Sequence, residues 1–420
     1  MKFSLSQLYG EFPIIAYFIT LATVFDFATV ENINYLFIGA SILGLTSLIW
    51  FWSNAIPKPG NAFLFLILFY MVAVSLMNYS TIRWTSLVYS GFFVFTYVLY
   101  VPFIQKYFTR SKFRNLLKIL FYMYFAGLIA GQLHIYFNVF SPISGIIGFM
   151  RGSFGTIFEK DGLRYFSLSS EPSYAAFIVI VVFYVYLKLS PRKELLRQGE
   201  TLVMFVLLLY MIFMFKSAYG VLLVGLLILE FAGFSTTLVL MVIAVLGASS
   251  LVVIYDYDIR AVNRVINIAQ KLDLTNLHSL FAIDFTAYYR VAPVLHFVEI
   301  MDWADLQFLL GHGAGASRYY VVPEIYGGYI GGEFLGGFLP SFLYDYGVIG
   351  GSLVLFFVFR RTSSLISFPA VALALMLLNA NFNTQLFWFL ILCFHMLKFY
   401  LKNMDAHPVL VPVLNGKQEK

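Results

Sequence analysis

The sequence predicts an all-α polytopic integral membrane protein, and three observations carry that prediction. Hydrophobic residues make up 61% of the 420-residue chain, aromatic residues 19% and charged residues only 11%, with a mean hydropathy of +0.84. That composition lies far outside the range of soluble domains. Apolar runs near the ~20 residues that cross ~30 Å of hydrocarbon as a helix recur along the chain. The lysines and arginines cluster between alternate runs, as orienting charges do.

The runs predict helices at Phe12–Val30, Ile33–Trp52, Ala62–Asn78, Trp84–Ile104 and Leu116–Phe137. After a long loop come Tyr174–Leu189, Thr201–Phe215, Tyr219–Phe234 and Thr236–Tyr255. After a second come Phe338–Phe359, Leu365–Leu378 and Thr384–Leu401, which makes 12 spans. No small-residue cleavage site follows the first run, so it is read as a retained span. With the N-terminus inside, 17 of the 27 basic residues fall on the inner side, among them Lys106, Arg110, Lys112, Arg114 and Lys118, then Lys188, Arg192, Lys193 and Arg197, then Arg360 and Arg361. The prediction is one polytopic domain over 1–402, outer loops at 138–172 and 256–335, and a polar tail at 403–420 read as disordered. The net charge of +6 is accounted for by orientation and not by nucleic-acid binding. The single cysteine, Cys393, lies inside an apolar run and allows no intramolecular disulfide.

Charge concentrates in the first loop, where Arg151 and Arg164 stand with Glu159, Asp161 and Glu171 among helix-breaking glycines and serines. The outer basic residues are seven arginines and three lysines, against six arginines and eleven lysines inside. A guanidinium fork grips phosphate or carboxylate oxygens in pairs, so arginine outside points to anion recognition; pairing with the loops' own acids is the plainer alternative. In the second loop, Arg260–Leu272 on a helical wheel separates Arg260, Asn263, Arg264, Asn267, Gln270 and Lys271 from Val262, Val265, Ile266, Ala269 and Leu272. Such a helix fits the membrane interface. Farther on stand Arg290 and the string LLGHGAGASRYY, whose glycines 311, 313 and 315 flank His312 and precede Arg318. These glycines let the backbone approach a ligand closely. Glu333 and Asp345 follow, Asp345 with the glycines of YGVIGG, which suit close helix packing. Among polar residues at or inside spans (Asp26, His134, Lys216, Glu230, His395), Lys216 in FKSAYG stands at an outer end, level with lipid phosphates. No P-loop, nucleophile elbow or metal-ligand spacing occurs, and no cofactor is expected.

The span number, the two arginine-bearing loops, RYFSLSSEPSYAAF opening a span, and FKSAYG together resemble bacterial O-antigen polymerases of the Wzy type. Arg151, followed after ten residues by Gly162, is similar to an Arg-ten-residues-Gly motif of that family, and LLGHGAG with DYGVIGG resembles the glycines flanking the second loop in the wider polymerase and ligase superfamily. Two departures stand. The second loop has no such arginine–glycine pair, and the histidine that ligases carry before the tenth-span glycines is replaced by the Gly336 region, which argues against a ligase and leaves the base unassigned.

The charge distribution places both termini on the inner, cytoplasmic side. The resemblance implies a GT-C-like fold in the bacterial inner membrane with the active site on the periplasmic face. It implies an inverting, metal-independent glycosyltransferase acting on undecaprenyl-pyrophosphate-linked oligosaccharide among membrane lipids, alongside a chain-length regulator and a flippase of the same pathway. The cations Arg164, Arg290, Arg318, Arg151 and Lys216 would steady the departing pyrophosphate. Glu171 is the first choice of base, with His312 and Glu333 behind it. Glu171 has a plainer reading as a helix cap before Pro172. A lipid-linked oligosaccharide flippase is the alternative from another class, although such transporters often show repeated halves, and none are evident here. A binding or scaffold role is a third.

Overall fold

The computed structural model describes residues 5–23, 29–30, 33–34, 37–43, 62–137, 155–159, 162–169, 171–191, 199–232, 337–362, 367–378 and 380–406, and, from the second loop, 267–268, 270–273, 279–283, 288, 297–298, 302 and 304–317. Helices dominate them. We label these α1 (Leu5–Ala22), α2 (Ala62–Met77), α3 (Trp84–Tyr107), α4 (Arg110–Phe137), α5 (Pro172–Leu189), α6 (Gly199–Phe215), α7 (Ala218–Ala232), α8 (Leu306–Leu310), α9 (Leu343–Thr362), α10 (Phe368–Leu377) and α11 (Gln385–Ala406). Among the described residues, five stretches are long and apolar enough to cross a membrane: Trp84–Tyr107, Arg110–Leu133, Pro172–Leu189, Phe338–Thr362 and Gln385–Asn403. The predicted span Thr236–Tyr255 and the tail 407–420 lie outside the described residues.

At the centre stands α5. Its sequence, PSYAAFIVIVVFYVYLKL, is apolar on every side, and a helix hydrophobic all round belongs inside a bundle. Ala175 through Leu187 are all buried, against α4, α6, α7 and α11. An aromatic core fills the neighbouring space: Trp388 lies under Phe93, Tyr97, Phe382 and Phe387, and its indole N–H donates to the Phe382 carbonyl at 2.6 Å. In lipid, contacts of this kind hold helices by packing and by hydrogen bonds worth about 0.6 kcal/mol each, because burial from lipid brings no hydrophobic gain.

The bundle has two chemically distinct ends. Ion pairs join Glu11 to Lys112, Lys118 to Glu200, and Lys188 to Glu230. At the same end Arg110 donates to the Leu189 carbonyl at 2.7 Å, Lys398 to the Arg360 carbonyl at 2.9 Å, and the Tyr400 hydroxyl to the Phe108 carbonyl at 2.7 Å. These three ion pairs thus sit at one end, the basic end. The opposite end carries the turn between α2 and α3, the start of α5, the α6–α7 turn and residues 306–317 of the second loop.

Sequence and structure differ at several boundaries. The first helix is Leu5–Ala22, not Phe12–Val30, and Thr29–Val30 instead pairs antiparallel with Ile33–Asn34 (β1 and β2). α4 begins at Arg110, six residues before the apolar run, because its charged first turns continue past the hydrocarbon. The first loop contains an antiparallel hairpin, β3 (Gly155–Glu159) and β4 (Gly162–Ser167). Of the amphipathic helix expected over 260–272, residues 267, 268, 270 and 271 are described and helical.

Candidate functional site

The chain leaves β4 and turns into the bundle. Ser167 takes a left-handed backbone (φ 52°), and its hydroxyl donates to the Tyr124 carbonyl of α4 at 2.6 Å. Ser167, Leu168 and Ser169 are buried. Space for them exists because α4 carries Gly127, where a Cβ would come within 2.7 Å of the Ser167 oxygen and 3.1 Å of Leu168. Glu171 follows in extended conformation at the N-cap of α5, with Pro172 inside the first turn. Pro172 has no N–H to satisfy there, which suits that position.

The Glu171 side chain makes no capping bond to the helix backbone, against the plainer reading of it as a cap. Instead it accepts the Ser173 hydroxyl on Oε2 at 3.1 Å and remains half-buried. The carboxylate is held by a hydroxyl, and the first-turn amides are left to other partners.

Lys216 lies in the turn joining α6 to α7. Its φ of 48° ends α6, and its amide donates to the carbonyls of Ile212 and Phe213 at 3.2 and 3.3 Å. Lysine is an unusual residue for this left-handed position, which glycine or asparagine fills at lower cost. The next residue, Ser217, is buried and accepts the Gly220 amide on its hydroxyl at 3.4 Å, capping α7. Ser167 and Lys216 are the two non-glycine residues with positive φ among those described.

Contacts between α5 and α7 fix their register. A Cβ on Gly220 would lie 3.1 Å from that of Ala176, the Phe177 and Tyr219 rings are 5.7 Å apart, and the Tyr184 hydroxyl donates to Glu230 at 3.0 Å. The two helices therefore run parallel. Lys216 precedes Gly220, and Pro172 precedes Ala176, by the same four residues, so Lys216 and the Glu171–Pro172 step stand at one level. Both N-termini point to that level and add their dipoles to the lysine charge. A carboxylate able to take a proton and a cation able to steady an anion thus share one rim at the end away from the basic clusters.

The second-loop residues form a separate seam. His312 stacks on Tyr344 with ring centroids 4.1 Å apart and planes 7° from parallel, and its Nδ1 lies 3.1 Å from the Tyr344 carbonyl. A carbonyl only accepts, so Nδ1 carries the proton, and in the neutral ring Nε2 holds the lone pair a base needs. Glycines 311, 313 and 315 all have positive φ. Sequence suggested approach to a ligand, whereas Gly311 and Gly347 approach protein backbone: a Cβ on Gly311 would overlap the Asp345 carbonyl, and one on Gly347 (φ 65°) the Leu309 carbonyl.

Of the other predicted site residues, Arg164 sits on β4 opposite Ile157, and Arg151, Arg290, Arg318 and Glu333 lie outside the described residues. The α5–α7 register sets Glu171 and Lys216 at the same end of that helix pair, and His312 packs on Tyr344 of α9. Two residues that sequence reasoning left without a role are Ser173, the partner of Glu171, and Asp345, whose position inside an apolar run was the signal available. Among the described residues no three His, Cys, Asp or Glu side chains gather to hold a metal ion. No family model matches this sequence, and none of the curated proteins or solved structures searched matches it.

Proposed function

We propose that this chain is a polysaccharide polymerase, a glycosyltransferase that moves a growing glycan from undecaprenyl pyrophosphate to the next lipid-linked repeat unit. The observation that carries the reading is the shared level of Glu171 and Lys216, with Glu171 not spent on capping α5. In this reading the chain has 12 spans in a GT-C-like arrangement, both termini are cytoplasmic, and the rim faces the periplasm of a bacterial inner membrane.

The acceptor sugar hydroxyl attacks the anomeric carbon of the donor glycan while the bond from that carbon to the pyrophosphate oxygen breaks. Glu171 takes the hydroxyl proton, and the pyrophosphate leaves with the electron pair and the lipid. Lys216 and the arginines 151, 164, 290 and 318 stabilise the growing charge, a type of contribution worth about 3 kcal/mol per well-placed donor. Attack opposite the leaving group inverts the anomeric centre. His312 and Glu333 are the reserve bases.

The test uses purified protein in nanodiscs with lipid-linked repeat units as the only substrate and no nucleotide sugar. A ladder of longer glycans with release of undecaprenyl pyrophosphate is expected, and Glu171→Gln should slow the ladder without weakening substrate binding. Repeat units that stay unextended but cross a proteoliposome bilayer would establish a flippase, and transfer to lipid A core in place of a second repeat unit would establish a ligase.

A further inference from the structure

A carboxylate inside an apolar span is expensive unless its oxygens are satisfied. Asp345, near the start of α9, is buried, and both oxygens are used: Oδ2 accepts the Gly315 amide at 2.9 Å and Oδ1 the Ser317 amide at 2.8 Å. Its own carbonyl accepts the Gly313 amide at 2.8 Å. One residue therefore holds three alternate amides, at 313, 315 and 317, of the described end of the second loop.

Neighbouring groups close the seam. The Tyr70 hydroxyl lies 3.0 Å from the Leu310 carbonyl and 3.1 Å from that of Tyr346. The Ser75 hydroxyl accepts the Ala314 amide at 3.1 Å, and the Ala314 carbonyl accepts the Arg83 amide at 2.8 Å. The positive φ of Gly311, Gly313 and Gly315 lets the strip lie this close, and its own Ala314 and Ala316 are fully buried.

We infer that Asp345 is a positioning residue, a latch that fixes 313–317 on the membrane core and so sets where His312, which precedes that strip, stands. What His312 does rests on the polymerase reading; the latch itself does not. Asparagine at 345 keeps one oxygen but turns an amide group toward the second N–H, leaving a buried donor unsatisfied. Tyr70→Phe loosens the same seam without touching a charge.

The experiment places a cysteine at Ala316 in a Cys393→Ser background of the full chain in nanodiscs and follows labelling by a membrane-impermeant maleimide. Asp345→Asn should raise the labelling rate by about tenfold or more, as loss of one buried hydrogen bond opens the strip locally, and Tyr70→Phe by less. In parallel, Asp345→Asn should lose polymer, and a disulfide between cysteines at Ser75 and Ala314 should restore most of it. Labelling unchanged in both variants overturns the latch. If Asp345→Asn does not fold, the Tyr70→Phe rate decides. Raised labelling with normal polymer, or polymer not restored by the disulfide, overturns the positioning role. Raised labelling in a protein whose parent form makes no polymer upholds the latch and removes the polymerase reading.

Discussion

Lys216 concentrates two demands on one residue, a left-handed backbone and a cation at the rim. Conformation alone would favour glycine, since a non-glycine residue in this region costs about 1 kcal/mol. Lys216→Gly and Lys216→Asn should therefore melt at or above the parent temperature in detergent while polymer is lost, and Lys216→Val should melt lower. Loss of stability in the glycine and asparagine variants would show that the lysine is held for the fold. The Glu230 carboxylate gives a contrasting case at the basic end, because it receives Lys188, the Tyr184 hydroxyl at 3.0 Å and the Phe368 amide at 3.3 Å. Glu230→Ala strands three donors, while Lys188→Met removes one and leaves the other two paired. Thermal unfolding should consequently fall further for Glu230→Ala than for Lys188→Met, and the reverse order would make the ion pair the dominant tie.

At the scale of elements, the parallel register of α5 and α7 is what brings Glu171 and Lys216 level. Cysteines at Ala176 and Gly220 in a Cys393→Ser background have Cβ positions near 3.1 Å and should cross-link under mild oxidation. Cysteines at Ala176 and Leu227 should not, since Leu227 lies about two helical turns farther along α7. Cross-linking of the second pair alone would overturn the register. Helices of this kind were legible because an apolar run is a strong signal, and α5 was found to within two residues of its start. The β3–β4 hairpin was missed although Thr156, Ile157 and Phe158 in one strand and Tyr165 and Phe166 in the other favour extended backbone, because two short strands in a charged loop give a weaker pattern than the runs beside them. The start of α4 was missed for the opposite reason: RSKFRN reads as a loop by polarity, yet a helix continues wherever its backbone is satisfied.

For the whole molecule, the separation of chemistry between the two ends predicts sidedness. Tyr79, strongly exposed in the turn between α2 and α3, and Lys402, exposed near the end of α11, should behave oppositely as cysteines. In intact cells an impermeant thiol reagent should label the first and reach the second only after lysis; the native Cys393 is fully buried and should stay silent. Labelling of both, or of Lys402→Cys alone, would reverse or abolish the predicted orientation. The level shared by Glu171 and Lys216 was not legible in the sequence, since 44 residues separate Pro172 from Lys216 and no periodicity encodes how α5 and α7 pair. The role of Asp345 was hidden likewise, because the amides that justify it belong to a strip some thirty residues earlier.

The enclosure of α5 also dictates an order of manufacture. A segment surrounded by protein on every side must first enter the bilayer beside lipid, and it loses that company only when α11, the last described helix of the chain, packs against it. The centre of the bundle is therefore closed by α11. A ribosome-released fragment stopping before Gln385 should insert, expose the α5 face and the partners of Trp388 to lipid, and be cleared by membrane proteases, while supplying residues 380–420 as a separate polypeptide should prolong its lifetime.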